Sequence, residues 1–490
     1  MNSRRAGQRS RWLGALVLLS AVAATDPIPW PGGTAPTATE IDAEVSAADE
    51  LYARERADEF LEAAERGEDS EHIYVTQSDI DAGLYDLARL FRFGDSIFEH
   101  QFRVEDGLGA GPDPRIRRAQ DGVRGGLDTF SCAGCHSVGG PDGAGSAAQD
   151  AFLEGDGRHL STGNARNPPS VLGLGFVQAL GVEMTGDLQR ARDAAITKAL
   201  EQGAPETIAL TSKGVSFGAL TAHEDGTVDT SAVEGVNEDL VIRPFGWKGE
   251  GARLRRFIEA AARIHFGIQA HTLALGDQTT PDPAHLGNGP WYDPDADGKQ
   301  HELEEGSLTA TAVYLTLLEL PQTLPPFDAG LRDRWARGSA TFDAVGCSEC
   351  HARTLTLLSP LWTEMPDTTN GPGVKVNLFG DGDQPRSLGN VELYSDLKRH
   401  DMGAALADPS PSESGVPASV FLTRPLWGLA ETAPYLHDGR APTIRSAIEA
   451  HGGEATASRD AFMALSEEDQ RNVDVFLHSL SRAPHLRVPR

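Results

Sequence analysis

The sequence predicts a mainly α-helical chain of two similar units with long loops, preceded by an N-terminal helical extension. Three observations lead there. The pattern Cys-x-x-Cys-His occurs twice, at Cys132-Ala-Gly-Cys135-His136 and Cys347-Ser-Glu-Cys350-His351. These four are all the cysteines of the chain, so none is left for a disulfide framework. Each motif is followed by a long excursion and then by an apolar helical segment near the end of its unit. Alternating apolar runs are scarce, whereas spacings of three and four residues recur. A length of 490 residues also exceeds what one core usually serves.

Composition sets limits. Hydrophobic residues are 39% and charged residues 23%, which fits a globular protein rather than a disordered one. Acidic residues outnumber basic ones 72 to 43, for a net charge of −29. That argues against nucleic acid or an anionic membrane surface as partner, because both call for a basic face.

Residues 1–24 read as a secretory signal. Arg4, Arg5, Arg9 and Arg11 form a positive start, Trp12 to Ala24 is apolar but too short to span a bilayer, and Ala21-Val22-Ala23 offers small residues for cleavage. The alternative is an uncleaved anchor. With the signal removed, the expectation is an exported, periplasmic chain with no stable membrane span.

The next segment, 25–90, is rich in Ala, Glu and Asp and reads as the solvated helical extension. The first unit, 91–325, closes with a helix from Ser307 to Leu320, Ser307 being the expected cap and Pro321 the stop. Three prolines within 321–326 mark the linker. The second unit, 326–490, begins with an amphipathic helix carrying Leu331, Trp335, Gly338, Phe342 and Val345, and ends with one carrying Val473, Phe476, Leu477 and Leu480 behind an N-cap at Ser466. The excursion around 205–245 is the segment expected to carry some strand.

Cys-x-x-Cys-His in an exported chain points to covalent c-type haem. Two thiols one short turn apart reach the two vinyl groups of one porphyrin, and the adjacent histidine ligates the iron beneath it. A zinc site is disfavoured because the pairs are far apart and each carries its own histidine. A thioredoxin-like pair expects a βαβ setting. His136 and His351 are therefore the expected proximal ligands. The fold class follows as mainly α, with two cytochrome c-like haem domains.

The stretch Thr432-Ala-Pro-Tyr-Leu-His437-Asp-Gly439 resembles the bacterial di-haem cytochrome c peroxidase superfamily. Phe245-Gly-Trp247-Lys248, His400-Asp-Met402-Gly and His451-Gly-Gly-Glu454 resemble its branch of di-haem oxidoreductases. The resemblance covers roughly residues 90–490. It implies that His451 is the sixth ligand of the second haem, with Met402 as its rival. On the residues alone His451 is a histidine on the apolar face of a helix capped by Thr443, a setting that a core histidine also fills. The resemblance further implies that the first haem carries the reactive iron. His265 then stands where the superfamily places a peroxidatic glutamate. It could serve as acid/base, as an iron ligand or as a structural residue. Glu259 and Arg263 are possible helpers, His271 and His159 are alternatives on the distal side, and Trp247 matches a tryptophan near the path between the haems or is a core aromatic. His437 and Arg440 suit haem propionates, or simply form a turn.

Two calcium sites are expected. The resemblance implies one at Asn167 with the carbonyls of Thr432 and Pro434. The residues themselves suggest another at Asp293-Pro-Asp295-Ala-Asp297-Gly298 followed by Glu304, a twelve-residue loop with oxygen ligands at odd positions; an acidic surface loop is the alternative. The function expected is a periplasmic di-haem oxidoreductase that reduces hydrogen peroxide, with electrons passing from the C-terminal to the N-terminal haem. The donor would be a small, basic cytochrome c or cupredoxin. The alternatives are an oxidase or oxygenase acting on another organic or protein substrate, and a non-catalytic electron carrier.

Overall fold

The computed structural model describes residues 74–108, 128–156, 159–268, 270, 302–367, 371, 373–379, 389–410 and 415–482. Helices α1 (Gln77–Asp81) and α2 (Leu87–Glu99) come first, the latter started by Asp86, whose carboxylate accepts from Arg89 N at 2.8 Å. After the first Cys-x-x-Cys-His, β1 (Ala151–Leu153) pairs with β2 (Asn164–Arg166). Helix α3 (Leu174–Gln202) runs 29 residues between Gly173 and Gly203, both in the left-handed region. A three-stranded sheet follows, β3 (Glu206–Ser212), β4 (Val215–Ala222) and β5 (Val228–Asp229). Lys213 and Gly214, at φ 50° and 85°, make the tight turn of its first hairpin.

Helix α4 (Leu254–Ala261) runs into a π turn, Ala262–Phe266, that closes at Gly267. Helix α5 (Glu305–Leu317) is buried through Thr316 and lies against α2, α3 and α4. Strand β6 (Gln322–Thr323) leads to α6 (Ala329–Ala344), capped by Asp328. Beyond the second motif come β7 (Leu355–Leu357), β8 (Leu361–Glu364), β9 (Val374–Asn377), β10 (Gly389–Val391), β11 (Arg399–Asp401) and β12 (Val420–Leu422). They pair as β7 with β10, β8 with β9 and β11 with β12. The chain ends with α7 (Ile444–Ala450), α8 (Thr456–Met463), α9 (Glu467–Leu477) and β13 (Leu480–Ser481), which returns to pair with β6.

The core has three clusters. One lies under α3 and includes Phe217 and Leu220 of β4, but also Leu355, Leu357, Val391 and Trp427 from the excursion after the second motif. A second joins α1, α2 and α5 to Trp362, Val374 and Val376. The third is formed by α6, α7 and α9 through Phe342, Ile444, Val473 and Phe476. Strands that follow the second motif thus pack into the core of the chain's first half.

The mainly α expectation does not hold. Of the described residues 38% are helical and 16% lie in strands or bridges. The two long excursions are the reason. They fold into ladders of two to eight residues, mostly two to four, too short for an alternating pattern to show. The helix expected from Ser307 starts at Glu305 and ends at Leu317. Ser307 does not cap it: its hydroxyl, fully buried in the first turn, accepts from Val75 N at 3.0 Å. Thr443 and Ser466 do cap α7 and α9, accepting from Ser446 N at 3.1 Å and Asp469 N at 3.2 Å.

Gly338 sets how closely α6 meets α9. A Cβ at that position would lie 1.8 Å from the carbonyl oxygen of Asn472. Gly338→Ala must push the helices apart, at a cost of about 2 kcal/mol. A thermal melt followed by circular dichroism should show a midpoint several degrees lower.

Candidate functional site

The first motif is a single tight turn. Cys135 N and His136 N both donate to Cys132 O, at 3.0 and 3.2 Å, and Gly134 N donates to the Ser131 hydroxyl at 3.0 Å. His136 directs Nδ1 to Gly143 O at 3.3 Å and packs on Phe98. Burial pushes its pKa down to about 4, and the nearby His265 adds to the shift. Burial also pushes the Cys132 thiol up to about 12. That opposes the thiolate that zinc binding or disulfide exchange would need.

His265 sits in the π turn after α4. Its Nδ1 meets Asp128 Oδ2 at 2.7 Å, while Asp128 N donates to His265 O at 2.9 Å. The two elements are therefore locked together, and the imidazole keeps Nε2 unengaged by that bond. π turns recur at functional sites because the extra residue redirects a side chain. Glu259 pairs with Arg256 at 2.7 Å, and Arg263 is half-buried on the same turn as His265. His159 is 69% exposed and bound to Asp156. His271 lies outside the described residues.

The second motif repeats the design. His351 N donates to Cys347 O at 3.0 Å, and the His351 Nδ1 meets Tyr394 O at 2.9 Å. Burial lowers its pKa to about 4, with His451 contributing. Burial also raises the Cys347 thiol to about 11. His451 ends α7 and directs Nδ1 to Ala447 O, 2.7 Å away. It is half-buried, and desolvation lowers its pKa. Cys347, Cys350, His351, Met402, His451 and Trp247 line one large, mostly apolar cavity.

His400 is buried between two carboxylates, with Nε2 at 2.8 Å from Asp396 and Nδ1 at 2.7 Å from Glu454. Burial alone would depress its pKa, but the Asp396 bond overrides this and pushes it up to about 11.

Between the motifs, Trp247 Nε1 donates to Asn167 O at 2.8 Å, and Asn167 N donates to His437 O at 2.7 Å. Asn167 Nδ2 donates to Asp150 at 2.9 Å. Thr432 and Pro434 line the cavity with Asn167. Asp293, Asp295 and Asp297 lie outside the described residues, and Glu304 is the N-cap residue of α5.

His437 stacks on Phe421 with ring centres 4.2 Å apart, and burial lowers its pKa to about 4. Its Nε2 is 3.6 Å from Asp408. Asp408 takes a bidentate Arg166, at 2.8 and 2.7 Å, and Lys248 at 2.9 Å. Burial would raise the Asp408 pKa, but these cations hold it below the usual carboxylate range. Arg440 does not line the cavity: it pairs with Asp438 at 2.5 Å on the surface.

Sequence reasoning missed Asp128, Asp396, Asp408 and Arg424. Arg424 lines the cavity and lies over Trp247 at 5.7 Å, with Nε buried and without a hydrogen-bond partner. An orphaned guanidinium N–H in an apolar cavity is suited to a carboxylate carried by a bound group. Together with the anchored imidazoles of His351 and His451, it makes the cavity fit a haem.

Residues 329–480 match the family described as "Di-haem oxidoreductase, putative peroxidase". The matched segment contains the second Cys-x-x-Cys-His motif and His451, and is similar to that family. The cytochrome c551 peroxidase of Pseudomonas aeruginosa is 28% identical over 163 residues, which are 33% of this chain and 38% of that protein. The chain thus matches well under two thirds of that relative. A structure of Kuenenia stuttgartiensis hydrazine synthase pressurised with xenon aligns over 81% of this chain and 93% of its own, at 16% identity and a TM-score of 0.31. A likeness that low carries no argument. Among the described residues no helix is long and apolar enough to cross a membrane.

Asp408→Ala would leave Arg166 and Lys248 buried without their shared anion. The expected cost is about 3–5 kcal/mol, against less than about 0.5 kcal/mol for the exposed Arg440→Ala. Urea unfolding of both variants measures the difference.

Proposed function

We propose that the chain is an exported di-haem c-type oxidoreductase that reduces hydrogen peroxide to water. Cys132 and Cys135 would anchor one haem and Cys347 and Cys350 the other, with His136 and His351 as proximal ligands. When bound, the two haems would supply the stored electrons and the iron at which the O–O bond is broken. The observation that carries this reading is the pairing of histidines. His265 is close enough to His136 to disfavour its charge, as His451 is to His351. The family of the second unit and the peroxidase relative support the same reading.

In this reading His265 is the acid/base. The Asp128 carboxylate fixes its tautomer and the direction of Nε2. Nε2 can then take one proton from the peroxide and return it to the departing oxygen. His451 would hold the sixth position at the second haem, and Arg424 with His437 would face its propionates. Asn167 with the carbonyls of Thr432 and Pro434 is proposed to bind calcium, as is the loop from Asp293 to Glu304.

One observation favours a second reading. His265 is anchored through Nδ1 just as the three other site histidines are, which suits an iron ligand. Both irons would then be closed and the protein would be an electron carrier. Spin-resonance spectra of the resting and half-reduced holoprotein separate the two. A high-spin signal at the first haem together with peroxide turnover supports the enzyme; two low-spin signals and no turnover sink it.

His265→Ala should lower peroxide turnover by about 10²–10⁴-fold. A rate within twofold of the parent removes His265 from the chemistry. The net charge of −29 favours a basic donor protein, a small cytochrome c or cupredoxin. With such a donor, kcat/KM should fall steeply as ionic strength rises, and a flat salt profile argues for a neutral donor.

A further inference from the structure

We propose that Asp396, His400 and Glu454 form a clamp that positions the His451 turn for ligation at the second haem. The proposal deepens the functional reading above, and rests on His451 as iron ligand and Cys350 as haem anchor.

A continuous chain of bonds links the two. Asp396 N donates to Cys350 O at 2.9 Å, tying Asp396 to the backbone of the attachment motif. The Asp396 carboxylate takes His400 Nε2 at 2.8 Å, and His400 Nδ1 meets Glu454 at 2.7 Å. The other oxygen of Glu454 accepts from Asp401 N at 2.8 Å. Glu454 is three residues beyond His451, on the turn that ends α7. The side-chain path from anchor to ligand segment thus runs through the His400 ring, and Asp401 N gives Glu454 a second hold.

The two turns meet backbone to backbone. A Cβ at Gly453 would stand 2.0 Å from Asp401 O, and one at Gly452 would stand 2.9 Å from Met402 O. Across this close approach the Glu454 side chain bonds both the His400 ring and Asp401 N. Helix α7 needs such help. At seven residues it is too short to hold its own end in place. The bond from His451 to Ala447 fixes how the ring is turned, but not where the helix end sits.

Cys350, Asp396 and His400 also bring one ligand atom each within 4.8 Å, a grouping that could hold a metal ion. Both nitrogens of His400 are already engaged by carboxylates, and the Cys350 sulfur is assigned to the haem. Positioning accounts for the group without an ion. The clamp also bears on the choice of ligand. Met402 lies two residues from His400 and lines the same cavity. Holding Glu454 against Asp401 keeps the His451 turn seated beside Met402.

The test uses holoprotein variants His400→Gln, Glu454→Gln, Glu454→Asp and His451→Ala. Spin-resonance spectra, carbon monoxide binding by the reduced protein and redox titration are read for each. Glu454→Gln and His400→Gln should each lose part of the bis-histidine low-spin signal, gain carbon monoxide binding at the second haem and raise its midpoint potential. Glu454→Asp should restore the parental spectrum. The Glu454 side chain is 54% exposed, so its Gln variant will fold and decides the matter even if His400→Gln does not accumulate. Parental spectra, potential and carbon monoxide resistance in Glu454→Gln, beside a changed His451→Ala, overturn the clamp alone. An unchanged His451→Ala overturns the ligand reading, and the clamp with it.

Discussion

The site depends on how its imidazoles are held. His136, His351, His451 and His265 each have Nδ1 bound to an oxygen acceptor at 3.3 Å or less. An Nδ1–H committed to such a bond leaves the Nε2 lone pair facing outward in a fixed direction, the state a metal ligand or a proton acceptor needs. Burial works in the same direction at the first three, because it keeps the ring neutral. Gly143 and Ala447 are seven and four positions from their histidines, Tyr394 and Asp128 43 and 137. Gly143 and Tyr394 lie in the excursions, so these loops are fixed in place by what they must offer the histidines.

Those loops need a junction, and Asp408 supplies it. Arg166 and Lys248 reach it from the first half of the chain, and Lys248 also donates to the carbonyls of Ala418 and Val420. Around His437 the carboxylates of Asp438 and Asp408 favour the charged ring and Arg166 opposes them, so it is burial that lowers its pKa. A low-dielectric junction of this kind is costly to break from either side. It sets the walls of the cavity without contributing a ligand to it.

What the sequence made legible of the candidate site is local. Two thiols and a histidine within five residues point to the proposed cofactor, and each motif folds as one tight turn. The caps at Thr443 and Ser466 could be read because the hydroxyl and the amide it serves are three residues apart. What was missed is non-local. Asp128 and His265 are 137 positions apart, and Arg166 and Asp408 are 242. No periodicity records such a pairing. Arg424 gave no signal either, because its role comes from one N–H, Nε, left without a partner beside a cavity. The fold class failed for a related reason. Short ladders such as β7 with β10 are stabilised by burial against α3 rather than by their own pattern. Ser307 shows the same limit: a good cap by composition, it is taken by Val75 instead.

His451 and His265 are both anchored through Nδ1, but by different acceptors, and the difference bears on the roles proposed for them. His451 uses Ala447 O, a carbonyl at the end of its own helix that would otherwise have no partner. That bond costs the fold nothing further and adds little electron density to the ring. His265 uses the carboxylate of Asp128, 137 positions away and outside its own helix. A neutral anchor suits a ligand whose task is to stay bound, and a charged anchor suits a base that must accept a proton and give it back. The π turn completes the distinction. It places His265 on a segment held by Asp128 at both side chain and backbone, so the ring can change charge without losing its position.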